Sequence, residues 1–202
     1  MKTLFVEARK KTKSLVNIEE LNRLPEKIHI LYTIQYKTLA EAVKKKLGKS
    51  VVAFEQVIGC SKVKPKSSLL LIGSGRFHAL QLLSTTSKPI YMYNNKLEKL
   101  DEKEILKLKA LEKGKLARFF SSSNIGILFS IKPGQSKLKF QEKIKQLLAR
   151  KFKNKKFYSF VSDSINISEL ENFPVDFWIN TACPGIELDS TKIINYDKIQ
   201  KK

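Results

Sequence analysis

Leu69-Leu70-Leu71-Ile72-Gly73-Ser74-Gly75-Arg76-Phe77-His78 is the stretch that decides the fold. An apolar run ends in a glycine turn, and a helical pattern of apolar residues follows over 77–83. Glycines let the backbone of such a turn approach a ligand closely, and the Arg76 guanidinium beside them can pair with a carboxylate. The pattern is not a dinucleotide fingerprint, because its third glycine is missing and Ala79 is the nearest small residue. Gly73, Ser74, Gly75, Arg76, Phe77 and His78 are therefore candidate cofactor-binding residues. The plainer reading is a tight strand-to-helix turn with an exposed arginine.

Outward from this turn, the same unit of apolar run, polar or glycine turn and helical pattern recurs along the chain, which predicts α/β architecture with parallel strands. Strands are expected at 2–7, 27–33, 50–54, 67–72 and 88–93, with helical spacing over 18–24 and 39–47 and a stop at Gly48. The charged segment 101–121, with Ile105, Leu108, Leu111 and Leu116 near one face, reads as a connector helix. A second series follows: strands at 125–130, 156–161 and 176–180, a helix over 137–152 and a short one near 168–171. Two similar units are thus expected, each a mainly parallel β-sheet flanked by helices, over 1–95 and 96–202. In the second, the turn Lys132-Pro133-Gly134-Gln135 repeats the first arrangement, so that Gly134, Gln135 and the amides opening the next helix can receive a polar group.

The composition sets limits. The 202 residues are 42% hydrophobic, ample for buried cores. No stretch approaches the ~18 uninterrupted apolar residues of a membrane span, and the N-terminus becomes charged before any signal-like run develops. A cytoplasmic protein is expected. Its 39 Lys and Arg against 19 Asp and Glu give a net charge of +20, which attracts phosphates or an acidic ribonucleoprotein. The lysines are spread over helices and loops alike, so a solvated, lysine-rich surface explains them as well.

Two cysteines make no disulfide scaffold, and in a reducing compartment such a pair is more often inert core thiol than ligand. Their surroundings point the other way. Ile58-Gly59-Cys60 follows one predicted strand and Thr181-Ala182-Cys183-Pro184 another, in positions that look comparable. In open parallel sheets, ligands bind beyond the carboxyl ends of the strands. Cysteine thiolates hold iron–sulfur clusters, and distant cysteines can converge when each domain contributes one. Of the two histidines, His78 can be a catalytic acid or a hydrogen-bonded turn residue, and His29 lies in a strand pattern that makes it structural.

Taken together, Gln56-Val57-Ile58-Gly59-Cys60, LIGSGRFH at 71–78, KPGQ at 132–135, Asn172-Phe173-Pro174, TACP at 181–184 and Asp189 resemble, in order and spacing, the second and third domains of the archaeal-type diphthamide synthases. The resemblance implies a four-iron, four-sulfur cluster held by three cysteines, one from each of three related domains, with one iron open to S-adenosylmethionine. It implies Cys60 and Cys183 as two of those ligands. It implies a noncanonical radical transfer of a 3-amino-3-carboxypropyl group to a histidine of translation elongation factor 2. The pattern departs at Glu55, usually glycine, and at Gly185, usually arginine. With no third cysteine in the 202 residues, the resemblance implies a split synthase, in a homo- or hetero-oligomer, whose first domain sits on a partner subunit. A non-catalytic binding subunit of the diphthamide or translation machinery is the alternative. A nucleic-acid-binding role ranks behind both, for lack of an aromatic-rich strand motif, zinc-finger spacing or helix-turn-helix signature.

Overall fold

The structure, a computed structural model, describes residues 4, 6–10, 16–58, 61, 63–73, 79, 82, 86 and 88–200. The chain divides into two compact units, Met1–Ile105 and Leu106–Lys202, each an α/β unit on a mainly parallel sheet flanked by helices. No helix among the described residues is long and apolar enough to cross a membrane.

In the first unit, β1 (Ile28–Tyr32) is buried at all five positions because it lies between β2 (Val51–Gln56) and β3 (Ser68–Ile72), with both faces covered. β4 (Ile90–Tyr93) extends the parallel series, and β5 (Leu97–Lys99) closes it antiparallel, giving the order β2-β1-β3-β4-β5. Helix α2 (Lys37–Leu47) buries Leu39, Ala40 and Val43 in the cluster that holds Ile28, Ile30 and Tyr32. Its last turn carries Lys44, Lys45 and Lys46, which suit the negative helix end, and Gly48 at φ +54° stops it. The short α1 (Ile18–Leu21) is tied to the far strands: Tyr93 Oη accepts from the Asn17 amide at 3.0 Å, and Glu20 accepts from the Leu97 amide at 3.1 Å.

The second unit has the order β7-β6-β8-β9, all parallel: β6 (Asn124–Ser130), β7 (Lys156–Ser162), β8 (Phe177–Asn180) and β9 (Ile193–Asn195). On one face Ile125, Ile127 and Phe129 meet Phe119 of α3 (Glu102–Ser121), Ile144 and Leu148 of α4 (Gln141–Lys151), and Tyr196 and Ile199 of α6 (Tyr196–Gln200). On the other, Leu128, Trp178 and Ile193 pack with Ile167 and Leu170 of α5 (Ile167–Leu170). Lys155 is buried beneath α3, where it donates to the carbonyls of Phe120 at 2.8 Å and Ser122 at 2.5 Å.

Several expectations shift. The segment 2–7 is not a strand at its described residues, and Leu4 and Val6 are 85% and 79% exposed. Of 77–83, Ala79 and Leu82 are helical and buried, and the rest lies outside the described residues. The first unit runs past residue 95, where the sequence reading placed the division, because Asn95 at φ +68° turns the chain so that β5 pairs back on β4. In α3 the buried positions are Lys115 and Phe119, whereas Leu111 is 45% exposed.

Candidate functional site

Both sheets put their second strand on one side of the first and their third on the other, so the chain reverses direction of winding between β1 and β3, and again between β6 and β8. A crevice opens at the carboxyl ends of the strands at such a switch point. In the second unit the turn 132–135 leaves β6 and the loop 181–184 leaves β8, so Gly134, Gln135 and Cys183 are brought to the same end of adjacent parallel strands. Gly134 sits at φ +79° and the Gln135 amide donates to the Lys132 carbonyl at 3.1 Å. The following helix α4 opens only at Gln141, after a 3-10 turn over Leu138–Phe140, so its first amides do not belong to the Gly134 turn as the sequence suggested.

Cys183 is a free, half-buried thiol at the N-cap of a 3-10 helix, Pro184–Asp189. Asn180, 2% exposed, donates through Nδ2 to the Cys183 carbonyl at 2.8 Å and to Asn195 Oδ1 at 2.7 Å, and accepts from the Ala182 amide at 3.0 Å. Asn195 Nδ2 reaches the Pro184 carbonyl at 3.1 Å, and Thr181 binds the Leu128 carbonyl through its hydroxyl at 2.7 Å. The far end of the loop is held by charge. Lys115 donates to the Glu187 carbonyl, and Lys198 bridges Glu187 at 3.0 Å and Glu112 at 2.7 Å. Burial pushes the Lys115 ammonium below its usual range, with Glu187 opposing. For Lys198 burial acts the same way, but the two carboxylates outweigh it and raise its pKa.

In the first unit the corresponding switch is bounded by Thr33 after β1 and Gly73 after β3. Gly73 is buried, and a Cβ on it would sit 3.4 Å from Thr33 Oγ1, a hydroxyl that is itself buried without a hydrogen-bond partner. The rest of that turn, Ser74, Gly75, Arg76, Phe77 and His78, lies outside the described residues, as does Cys60. Ile58 and Ser61 are joined by two hydrogen bonds of 2.9 Å. The two cysteines are not equivalent in the topology: Cys60 follows β2, the outer second strand, whereas Cys183 follows β8, the inner third strand, whose counterpart β3 leads into the Gly73 turn. Among the described residues no group of three or more His, Cys, Asp or Glu could hold a metal ion.

The family model described as "Putative diphthamide synthesis protein" matches residues 1–198. The chain belongs to this family. It is 28% identical over 191 residues to the 2-(3-amino-3-carboxypropyl)histidine synthase of Pyrococcus horikoshii, covering 86% of this chain and 54% of the relative. To the synthase of Methanocaldococcus jannaschii it is 29% identical over 206 residues, covering 94% of this chain and 57% of the relative. The chain therefore spans a little over half the length of the curated relatives it matches. The crystal structure of Dph2 from Pyrococcus horikoshii superposes with a TM-score of 0.75 at 25% identity, over 92% of this chain and 59% of that one, and the structure of Dph2 with a 4Fe-4S cluster matches equally.

Within this diphthamide synthesis family member, the departure at Glu55 has a structural partner. Its carboxylate lies 3.3 Å from Nε2 of the fully buried His29, whose ring nitrogens have no aligned hydrogen bond. Burial lowers the His29 pKa, Glu55 opposes this and Lys66 adds to it. The unfolded chain therefore binds the proton more readily. Stability is full above the unfolded histidine value of about 6.5 and is lost as pH falls through the folded value below it. Melting temperatures measured between neutral and mildly acid pH should fall more for the parent than for His29→Leu, and equal slopes would refute the assignment. Thr33 and Asn180 were not singled out from sequence because each reads as an ordinary polar residue at a strand end, and Asn195 because it ends β9, a strand the sequence did not predict.

Proposed function

We propose that this chain is the two-cysteine portion of a 2-(3-amino-3-carboxypropyl)histidine synthase, acting in the first step of diphthamide formation on a histidine of translation elongation factor 2. Family membership over 1–198 carries the reading, and the 4Fe-4S cluster in the related Dph2 structure supports its cofactor. Cys183 suits a thiolate ligand: it is free, half-buried, and on a loop whose own polar groups are bonded within the protein, so the sulfur can face a guest group without loosening the fold. In this reading Cys60 supplies a second thiolate and a third comes from outside these 202 residues, on a partner polypeptide carrying a first domain.

Cys60 and Cys183 would hold the cluster, which when reduced would supply one electron to cleave the bond between sulfur and the methionine γ-carbon of S-adenosylmethionine, leaving methylthioadenosine and the 3-amino-3-carboxypropyl group for transfer. The chain's residues bind and orient. Gly73 sits beside the unpaired Thr33 hydroxyl, which offers a polar contact, and in this reading Ser74, Gly75, Arg76, Phe77 and His78, which follow it in the sequence, join in binding, with Arg76 as a partner for the methionine carboxylate. Gly134 and Gln135 border the crevice of the second unit, where an exposed turn lets backbone approach the cofactor.

Anaerobic co-expression with a protein carrying the cysteine-bearing first domain should yield a brown complex with four-iron absorption and a paramagnetic signal on reduction. A colourless mixture without association overturns the split arrangement. Iron bound stoichiometrically by the chain alone would overturn it equally, in favour of a symmetric homodimer site with two thiolates from each copy.

A further inference from the structure

We propose that Asn180 and Asn195 are positioning residues that fix the direction in which Cys183 presents its sulfur. The inference rests on Cys183 being a cluster ligand and adds the device that aims it. Asn180 uses both of its amide protons and its oxygen: Nδ2 donates to the Cys183 carbonyl at 2.8 Å and to Asn195 Oδ1 at 2.7 Å, and Oδ1 accepts from the Ala182 amide at 3.0 Å. The Cys183 carbonyl also accepts from the Ile186 amide at 3.1 Å, so it has two donors converging on it. Asn195, at the end of the neighbouring strand, takes the next carbonyl through Nδ2, that of Pro184, at 3.1 Å.

These bonds grip the peptide group that follows the cysteine and, one peptide further out on either side, those at 181–182 and 184–185. With Ala182 N–H, Cys183 C=O and Pro184 C=O all held, the Cys183 backbone is fixed near φ −62° and ψ 123°, and the proline restricts its rotation further. One soft torsion, χ1, is left to the thiol. The amide is also the side chain the site demands. Aspartate at 180 would put one oxygen against the Cys183 carbonyl and Asn195 Oδ1, three acceptors with no proton between them, in a place where Asn180 is 2% exposed. An aliphatic residue would leave Asn195 Oδ1 without this donor and the Cys183 carbonyl with the Ile186 amide alone.

The test is the alkylation rate of Cys183 by iodoacetamide in the cluster-free full chain, in a Cys60→Ala background, at a temperature far below unfolding. Asn180→Ala should speed the reaction about fivefold as the half-buried loop opens more often. Asn195→Asp, which keeps the acceptor for Asn180 but loses the donor to Pro184, should fall between that variant and the parent and guards against misfolding of the first. Ile144→Val, which trims the same unit's core away from the loop, serves as the stability control. If Asn180→Ala and Asn195→Asp react at the parent rate, or no faster than Ile144→Val, the asparagines are merely structural and the proposal is overturned. In the assembled complex the two asparagine variants should also alter the shape of the cluster's paramagnetic signal. Full iron retention by Cys183→Ala would instead overturn the ligand assignment, while leaving the alkylation result intact.

Discussion

Cys183→Ala, introduced into the proposed complex, is expected to bring cluster iron to background and abolish histidine modification, while the chain melts within a few degrees of the parent. On the proposed reading a cluster held by three thiolates loses one of them, and among the described residues no group of three or more His, Cys, Asp or Glu offers another metal site. The fold gives up little, because the thiol is only half-buried and the loop is held by Asn180, Asn195 and Thr181 rather than by the sulfur. Iron quantification and paramagnetic resonance on anaerobically purified complex, with thermal melts in parallel, decide it. Iron at the parent level would show that Cys183 is not a ligand, and a collapsed melting temperature would show that it is a core residue.

Gly126→Ala should produce the largest loss of stability. Gly126 pairs in register with Trp178 on the adjacent strand, and a Cβ added there would lie 2.3 Å from two atoms of the indole. The ring has little room to yield, being packed edge-on against Phe160 at 4.7 Å and near Phe173 at 6.2 Å. Overpacking of this kind costs about 1–3 kcal/mol or more, which for a unit of ~100 residues lowers the melting temperature by roughly 4–8 °C per kcal/mol. Trp178 is the chain's one tryptophan, so its fluorescence reports the disturbance directly. Adding Trp178→Leu should recover part of the loss, which marks the two positions as coupled. A melt unchanged by Gly126→Ala would refute the close approach.

What the sequence revealed and what it hid follow from the same physics. Leu69 to Ile72 and Ile125 to Phe129 were legible as strands because strands covered on both faces leave long apolar runs. β5 and β9 were not, since three residues at a sheet edge carry no periodicity. Lys115 is not distinguished in the sequence, because a lysine that buries its stem and hands its ammonium to a carbonyl looks like any other there. The cysteines were legible as strand-end residues, but which strand each follows, outer or inner, is a matter of sheet order, which local sequence does not encode. Asn180 and Asn195 bond to backbone groups and to each other across two strands, leaving no local motif to display.

The ties nearest Cys183 are amides, hydroxyls and carbonyls, none of which gains or loses a proton in the range where proteins fold. His29 and Glu55 belong to the first unit, and Glu187 with its lysines ties the far end of the loop in the second. Acid strains the first sheet through its buried imidazole, whereas the hydrogen bonds at the cysteine itself contain no group that titrates there. The protein separates the part of its fold that senses pH from the part that must hold an angle.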